Sequence, residues 1–262
     1  MLISVITVCL NSEKTIRHAV ETFLSQKHEE KELVVVDGLS HDETVGIVTS
    51  YKSERIRVIS ERDNGIYDAM NTGLQLYSGQ AVGFLNSDDA FHSDETLSVL
   101  NEALSAADVV YGDLDMVDNH NTRRVHRRWK SGHFSRRAFR LGWMPPHPTF
   151  YVRRTVVDKI GPFDLSYTIA ADYDFMLRAL MLHDFSVAYV PKVLVDFQVG
   201  GVSSNGLRSI FTSGRESLHA RRRYLGSPAI DLATVLKPIR KLPQLQPWNR
   251  IACAVKQLMF GA

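Results

Sequence analysis

Cysteine is nearly absent from this chain of 262 residues. Cys9 and Cys253 are the only two, too few for a disulfide framework or a thiolate metal cage, and a reducing compartment is expected. No apolar run reaches the ~20 residues that cross a bilayer, because charges or prolines interrupt each one. The apolar stretch Leu2–Leu10 has no basic residue before it and no small-residue cleavage site after it. It is expected to be a buried first strand and not a secretory leader. Also missing are a G-x-G-x-x-G after that strand and a phosphate-binding P-loop, which disfavours a dinucleotide or ATP cradle of the usual kind. With 44% hydrophobic residues, 16 glycines and 9 prolines, the composition excludes collagen-like, low-complexity and wholly disordered chains.

Acidic residues are absent from one long segment. Residues 119–157 carry 10 Lys+Arg and no Asp or Glu, whereas residues 1–118 carry 8 against 21 and residues 158–262 carry 13 against 8. The formal net charge of +2 therefore conceals a split of −13, +10 and +5 along the chain. A basic strip with Arg123, Arg124, Arg127, Arg128, Lys130, Arg136 and Arg137 suits an anionic membrane surface, a phosphorylated acceptor, or merely a solvated strand face. Nucleic acid is not an expected partner, because the acidic first half would repel its backbone.

The first hundred residues alternate apolar runs with amphipathic ones. Strands are expected at Leu2–Val8, Glu32–Val36, Arg55–Ser60 and Gln80–Leu85, and helices at Glu13–Leu24, His41–Tyr51 and Ile66–Tyr77. The strands are nearly continuous in Val, Ile and Leu, as in a parallel sheet covered on both faces. This βαβ series makes the fold class α/β, a Rossmann-like, doubly wound, mostly parallel sheet with helices on both faces. Beyond residue 113 the alternation fails. Strands are expected at Val109–Gly112, Thr122–Arg128, Thr149–Val152, Val187–Val190 and Val193–Phe197, and helices at Gly132–Leu141, Asp172–Leu182 and 206–225. Met144–Pro148 contains three prolines and reads as a stiff turn. In the tail, Trp248, Ile251, Val255, Leu258 and Met259 recur at helical spacing, a pattern for packing on the domain or lying on a membrane.

Ligands of doubly wound sheets bind beyond the carboxyl ends of the strands. Here those ends carry Asn11-Ser12, Asp37-Gly38, Arg62-Asp63-Asn64-Gly65 and Asn86-Ser87-Asp88-Asp89. Adjacent carboxylates raise each other's proton affinity unless a cation compensates, so Asp88-Asp89 points to Mg2+ or Mn2+ and hence to phosphate. A helix cap or turn accounts for the same pair equally well.

The sequences Ser4–Asn11, Val34–Gly38 with Ser40 and Asp42, Asp63–Asn71 with Gly73, Phe84–Asp89, Ala171–Arg178 and Gly200–Ser203 occur in the order seen in family 2 glycosyltransferases of GT-A fold. The chain resembles that family over roughly residues 2–205, and in particular small transferases of bacterial surface-polysaccharide assembly. The resemblance implies that Asp37 hydrogen-bonds the donor's base, that Asp63, Asn71 and Asp88 contact the nucleotide-sugar, and that Asp89 ligates the divalent metal. It makes Asp172 the general base of an inverting transfer, with His147 and Arg178 near the diphosphate or acceptor. At helical spacing Asp174 points about 200° away from Asp172, so both cannot face one site. Leu10 stands where an aromatic commonly packs on the base, Asn86 replaces the first Asp of many D-x-D motifs, and Ala171 replaces a common Glu.

The expected organisation is a catalytic domain over 1–226, with a donor half at 1–118 and an acceptor half at 119–205, and a basic amphipathic extension at 227–262. The expected partners are a UDP-, GDP- or dTDP-sugar donor and a glycan or lipid-linked acceptor. The expected location is cytoplasmic, with peripheral contact to the inner face of the membrane. A nucleotidyltransferase and a non-catalytic nucleotide-sugar- or membrane-binding module are the alternatives.

Overall fold

The structure, a computed structural model, describes residues 1–118, 124–199 and 207–227. Arg123, Gly200–Ser203, Cys253 and the amphipathic tail at 228–262 lie outside the described residues. The chain runs β1 (Ile3–Cys9), α1 (Ile16–Leu24), β2 (Lys31–Asp37), α2 (Thr44–Thr49), β3 (Ile56–Ser60), α3 (Ile66–Leu76) and β4 (Ala81–Phe84). β5 (Ala90–Phe91), α4 (Thr96–Ala106), β6 (Val109–Val117), β7 (Val125–Trp129), α5 (Arg136–Arg140) and a one-turn helix at His147–Thr149 follow. β8 (Tyr151–Arg153), α6 (Arg154–Ile160), α7 (Ala171–Met181), β9 (Val187–Gln198) and α8 (Leu207–Leu225) complete it.

The strands form one sheet in the order β3-β2-β1-β4-β8-β6-β9-β5, with β7 added on β6. β1 pairs parallel to β2 and β4, and β2 parallel to β3, as the apolar runs predict. β8 is antiparallel to both β4 and β6, so β6 again points the same way as β4. β9 is parallel to β6. The carboxyl ends of β1, β2, β3, β4, β6 and β9 therefore share one edge.

Alternate residues of each strand feed two apolar clusters, one per face. Ile6, Val8, Val34, Val36, Val82 and Phe84 join the cluster with α3, α6 and α7. Ile3, Val5, Leu33, Val35 and Ala81 join the one with α1 and α4. This two-sided burial is why the strands read as unbroken hydrophobic runs.

Several boundaries differ from the sequence expectation for local reasons. α1 starts at Ile16 because the Ser12 carbonyl takes the Thr15 and Ile16 amides in a preceding turn. The expected helix at Gly132–Leu141 contracts to α5, since Gly132 has φ +70° and the Ser135 hydroxyl caps the Ala138 amide. The two strands expected around Pro191 are one strand, β9, whose register against β6 slips between Tyr111 and Asp113 and so absorbs the proline as a bulge. α6 was not anticipated, because it follows β8 without a turn residue between them.

In the middle of β4, a Cβ on Gly83 would lie 2.3 Å from the Tyr151 ring of the neighbouring β8. Both are buried, so no flexible side-chain end can yield. Gly83→Ala is expected to destabilise the fold by about 1–3 kcal/mol in urea unfolding; an unchanged midpoint and slope would contradict the packing described.

Candidate active site

At the carboxyl end of β2, Asp37 is wholly buried and spends its oxygens on its own loop. It accepts from the Ser40 amide at 3.0 Å, the Ser60 hydroxyl at 2.6 Å and the Ser40 hydroxyl. Asp37 thus ties the ends of β2 and β3 together and faces inward, a different placement from the base contact implied by resemblance. Burial pushes the neighbouring Cys9 thiol up, Asp37 adding to the effect, so Cys9 stays protonated. The carboxylate at this edge belongs to Asp63. A Cβ on Gly38 would come within 2.5 Å of the Asp63 Oδ2, with the Leu10 side chain 3.6 Å away. The missing side chain at Gly38 therefore makes room for Asp63, with the exposed Leu10 beside it. Asp63 also accepts from the Gly65 amide at 2.9 Å. Gly65 has φ +120°, a backbone that favours glycine, and it opens α3.

At the end of β4, Asp88 and Asp89 divide their tasks. Asp89 is fully buried and accepts from the Asn86 side-chain amide at 2.8 Å and the Gln198 amide at 3.2 Å, so it bolts the end of β9 to the loop after β4. Burial, and then the charge of Asp88, raise its proton affinity well above that of an ordinary carboxylate. Asp88 is only half-buried and shows a surface at the edge. Asn86, in place of the first Asp of a D-x-D pattern, serves as Asp89's hydrogen-bond donor. A hard divalent cation fits this pair chemically, since adjacent carboxylates raise each other's proton affinity and a cation opposes that effect. A second acidic group lies deeper: ligand atoms of His92, Asp115 and Asp196 fall within 4.8 Å of one another. There the compensating charge is already present, because Arg128 grips the buried Asp115 with two bonds of 2.7 and 2.6 Å. His92 Nδ1 lies 2.6 Å from Asp196.

The first turn of α3 meets the entry of α7. The Tyr67 hydroxyl donates to the Ile169 carbonyl at 2.5 Å, and its ring stacks on Phe163. This puts the start of α7 on the same edge as Asp63. Asp172, on the first turn of α7, is half-buried and accepts from the Tyr173 amide at 2.7 Å. Asp174 is turned into the core and paired with Arg178 at 2.8 Å, as helical spacing predicts. Arg178 has other partners than the diphosphate expected for it. Besides Asp174 it donates to the carbonyls of Ile160 and of Pro162, the latter at 2.8 Å, and it is buried. Asn71 is likewise occupied: its amide brackets the Phe163 backbone, donating to the carbonyl at 3.0 Å and accepting from the N–H at 2.8 Å. Asn71 and Arg178 therefore shape the loop into α7, a positioning task that sequence motifs do not distinguish from ligand contact.

His147 stacks on Phe84, the last residue of β4, with ring centroids 5.2 Å apart, and meets the edge of Phe163. It is buried, and its Nε2 has no hydrogen-bond partner among the described residues. Burial lowers its pKa while the charge of nearby Asp172 opposes the shift, so the ring is neutral. The basic segment is partly consumed by the fold. Arg128 serves Asp115, Arg136 bonds the Met181 carbonyl and Asp184, Arg153 the Leu104 carbonyl, and Arg154 the Gly79 and Tyr77 carbonyls. Lys130, Arg137 and Arg140 are exposed. No described helix is long and apolar enough to cross a membrane.

Residues 4–161 match the sequence profile described as Glycosyl transferase family 2. A PGL/p-HBAD biosynthesis glycosyltransferase of Mycobacterium bovis is 30% identical over 210 residues, spanning 78% of this chain and 79% of its own. An uncharacterized glycosyltransferase of Mycobacterium tuberculosis is 32% identical over 225 residues, 85% of each chain. Among solved structures, S. aureus TarS 1–349 in complex with UDP-GlcNAc superposes with a TM-score of 0.69 at 22% identity, covering 89% of this chain and 69% of that one. The mannosyltransferase PcManGT of Pyrobaculum calidifontis, in complex with GDP-Man and Mn2+, gives 0.60 at 16% identity, covering 99% and 88%.

The neutral, buried His147 has a consequence for pH. The native ring resists protonation while the unfolded ring titrates near the ordinary 6.5, so below that pH the unfolded chain binds more protons and stability falls. Replacing His147 with Phe keeps the stacking on Phe84 and removes the titration. Thermal melts from pH 7.5 down to pH ~5 are expected to show a smaller loss for His147→Phe than for wild type; parallel curves would contradict the assignment.

Proposed function

We propose, on the premise that the chain belongs to glycosyl transferase family 2, that it moves a sugar from a nucleotide-sugar donor to an acceptor hydroxyl with inversion at the anomeric carbon. The chain is a glycosyltransferase of GT-A-like fold. The observation that carries the finer reading is the half-exposed carboxylate of Asp172 at the entry of α7, while its rival Asp174 is paired internally. An inverting transfer needs one base and no nucleophile. A sugar hydroxyl is too weak an acid to attack unaided, so Asp172 accepts its proton as the new bond forms. The donor's base is placed against Leu10, beside Gly38, whose missing side chain leaves room for the Asp63 carboxylate. Asp88 faces the ribose and diphosphate, and Asp89 fixes the loop that presents it, so the pair is the proposed holder of Mg2+ or Mn2+. That cation, when bound, supplies positive charge opposite the leaving diphosphate. His147, kept neutral beneath Asp172, leaves the base's charge without a competing cation.

The relatives named for PGL/p-HBAD biosynthesis support a glycan or lipid-linked acceptor in surface-glycan assembly. The exposed Lys130, Arg137 and Arg140 support an anionic membrane surface on the cytoplasmic side, where such acceptors are built. UDP-, GDP- and dTDP-sugars remain the donor set.

Thermal-shift screening of those three donor classes with Mn2+ selects the donor. With it, Asp172→Asn is expected to lose transfer by at least 1000-fold, on the order of the loss when an essential base is removed, with donor affinity within about twofold. Equal loss of both contradicts the assignment. Turnover unchanged in EDTA rejects the metal. Sedimentation with phosphatidylglycerol vesicles is expected to show binding at low salt that fades as screening grows; no binding at low salt ends the membrane proposal.

A further inference from the structure

α7 begins without a cap of its own. No side chain of the entry segment bonds the amides that precede its first turn. Their acceptor comes from α8, more than forty residues further along the chain. Glu216 Oε1 accepts from the Thr168 amide at 3.0 Å, and Oε2 accepts from the Ile169 and Ala170 amides, both at 2.9 Å. The residue is 8% exposed. One carboxylate thus satisfies three consecutive N–H groups that point the same way at a helix N-terminus, two residues short of Asp172. The rest of α8 reinforces the clamp. Arg223 pairs with Asp164 at 2.8 Å, His219 Nδ1 lies 3.2 Å from the Tyr167 hydroxyl, and buried Arg221 donates to the Tyr173 hydroxyl at 3.2 Å. From the other side, Tyr67 of α3 holds the Ile169 carbonyl. The peptide unit between Ile169 and Ala170 is therefore gripped at both ends, its N–H by α8 and its carbonyl's residue by the donor-side helix.

We propose that Glu216 is a positioning residue for glycosyl transfer, capping α7 from α8 so that Asp172 is presented to the acceptor in one place. The inference rests on the reading of Asp172 as the base. A burial role alone does not require this arrangement, since an apolar side chain would fill the space, whereas the buried Ala170 amide and the part-buried Thr168 and Ile169 amides need an acceptor.

Glu216→Gln retains one acceptor oxygen and removes the charge; Glu216→Asp retains the charge and withdraws it by one methylene. In the full chain, amide hydrogen exchange at Thr168, Ile169 and Ala170 reads the clamp directly. Exchange is expected to accelerate about tenfold in Glu216→Gln and less in Glu216→Asp; unchanged exchange in both overturns the capping. With the donor selected by thermal shift, nucleoside diphosphate release on acceptor addition is expected to fall at least tenfold in kcat in both variants, with donor KM within twofold. Unchanged kcat, or an equal rise in KM, overturns the positioning role. If Asp172→Asn keeps its turnover, the base reading fails, while amide exchange in Glu216→Gln still reports whether α8 governs the entry of α7. Should Glu216→Gln not fold, Glu216→Asp decides the question on kcat alone.

Discussion

Parallel pairing is the constraint on which the rest depends. Once β1 lies parallel to β2 and β4, and β2 parallel to β3, every loop that follows a strand emerges on the same edge. The chemistry-bearing residues need no further instruction to converge there: Asp63 follows β3, and Asp88 and Asp89 follow β4. The antiparallel insertion of β8 restores the direction for β6 and, through it, for β9. Asp89 can then reach the Gln198 amide and join the first half of the sheet to the last. Two-sided burial enforces the pairing, because a slip of one residue would exchange the two apolar clusters.

The second half of the site comes from a loop and not from a strand. Residues 161–170 lack regular structure and are held by polar side chains from three elements. Asn71 of α3 brackets Phe163, Arg178 of α7 gathers the carbonyls of Ile160 and Pro162, and Glu216 of α8 takes three amides. Each replaces a backbone hydrogen bond that a helix or sheet would otherwise supply. Aromatic packing of Phe84, His147, Phe163 and Phe175 fills the space beneath. The strand edge and the entry of α7 are thereby separately anchored parts that meet at Tyr67.

Much of this was legible in the sequence. Apolar periodicity alone gives the parallel series from β1 to β4, and the polar clusters at the strand ends give the edge. The 3.6-residue repeat separates Asp172 from Asp174, and the structure pairs Asp174 with Arg178 inside the fold. What periodicity could not supply were the partners of each polar group. Asp37, Asn71 and Arg178 have the residue types of ligand contacts, yet they bond neighbouring loops and side chains of the fold, because a short motif states chemistry and not direction. Glu216 gave no signal, as its partners lie 46 to 48 residues away. The charge split was visible, but about half of its basic side chains turn out to be internal anchors such as Arg128, Arg153 and Arg154.

The central claim is that one carboxylate acts on an acceptor hydroxyl, with no covalent intermediate between donor and product. The anomeric configuration of the first product tests it most directly, read by the one-bond carbon–proton coupling and the proton splitting at the new linkage before any equilibration. From an α-linked nucleotide-sugar the account predicts a β-linked product alone. An α-linked product would require a second displacement and a nucleophile, and would contradict it.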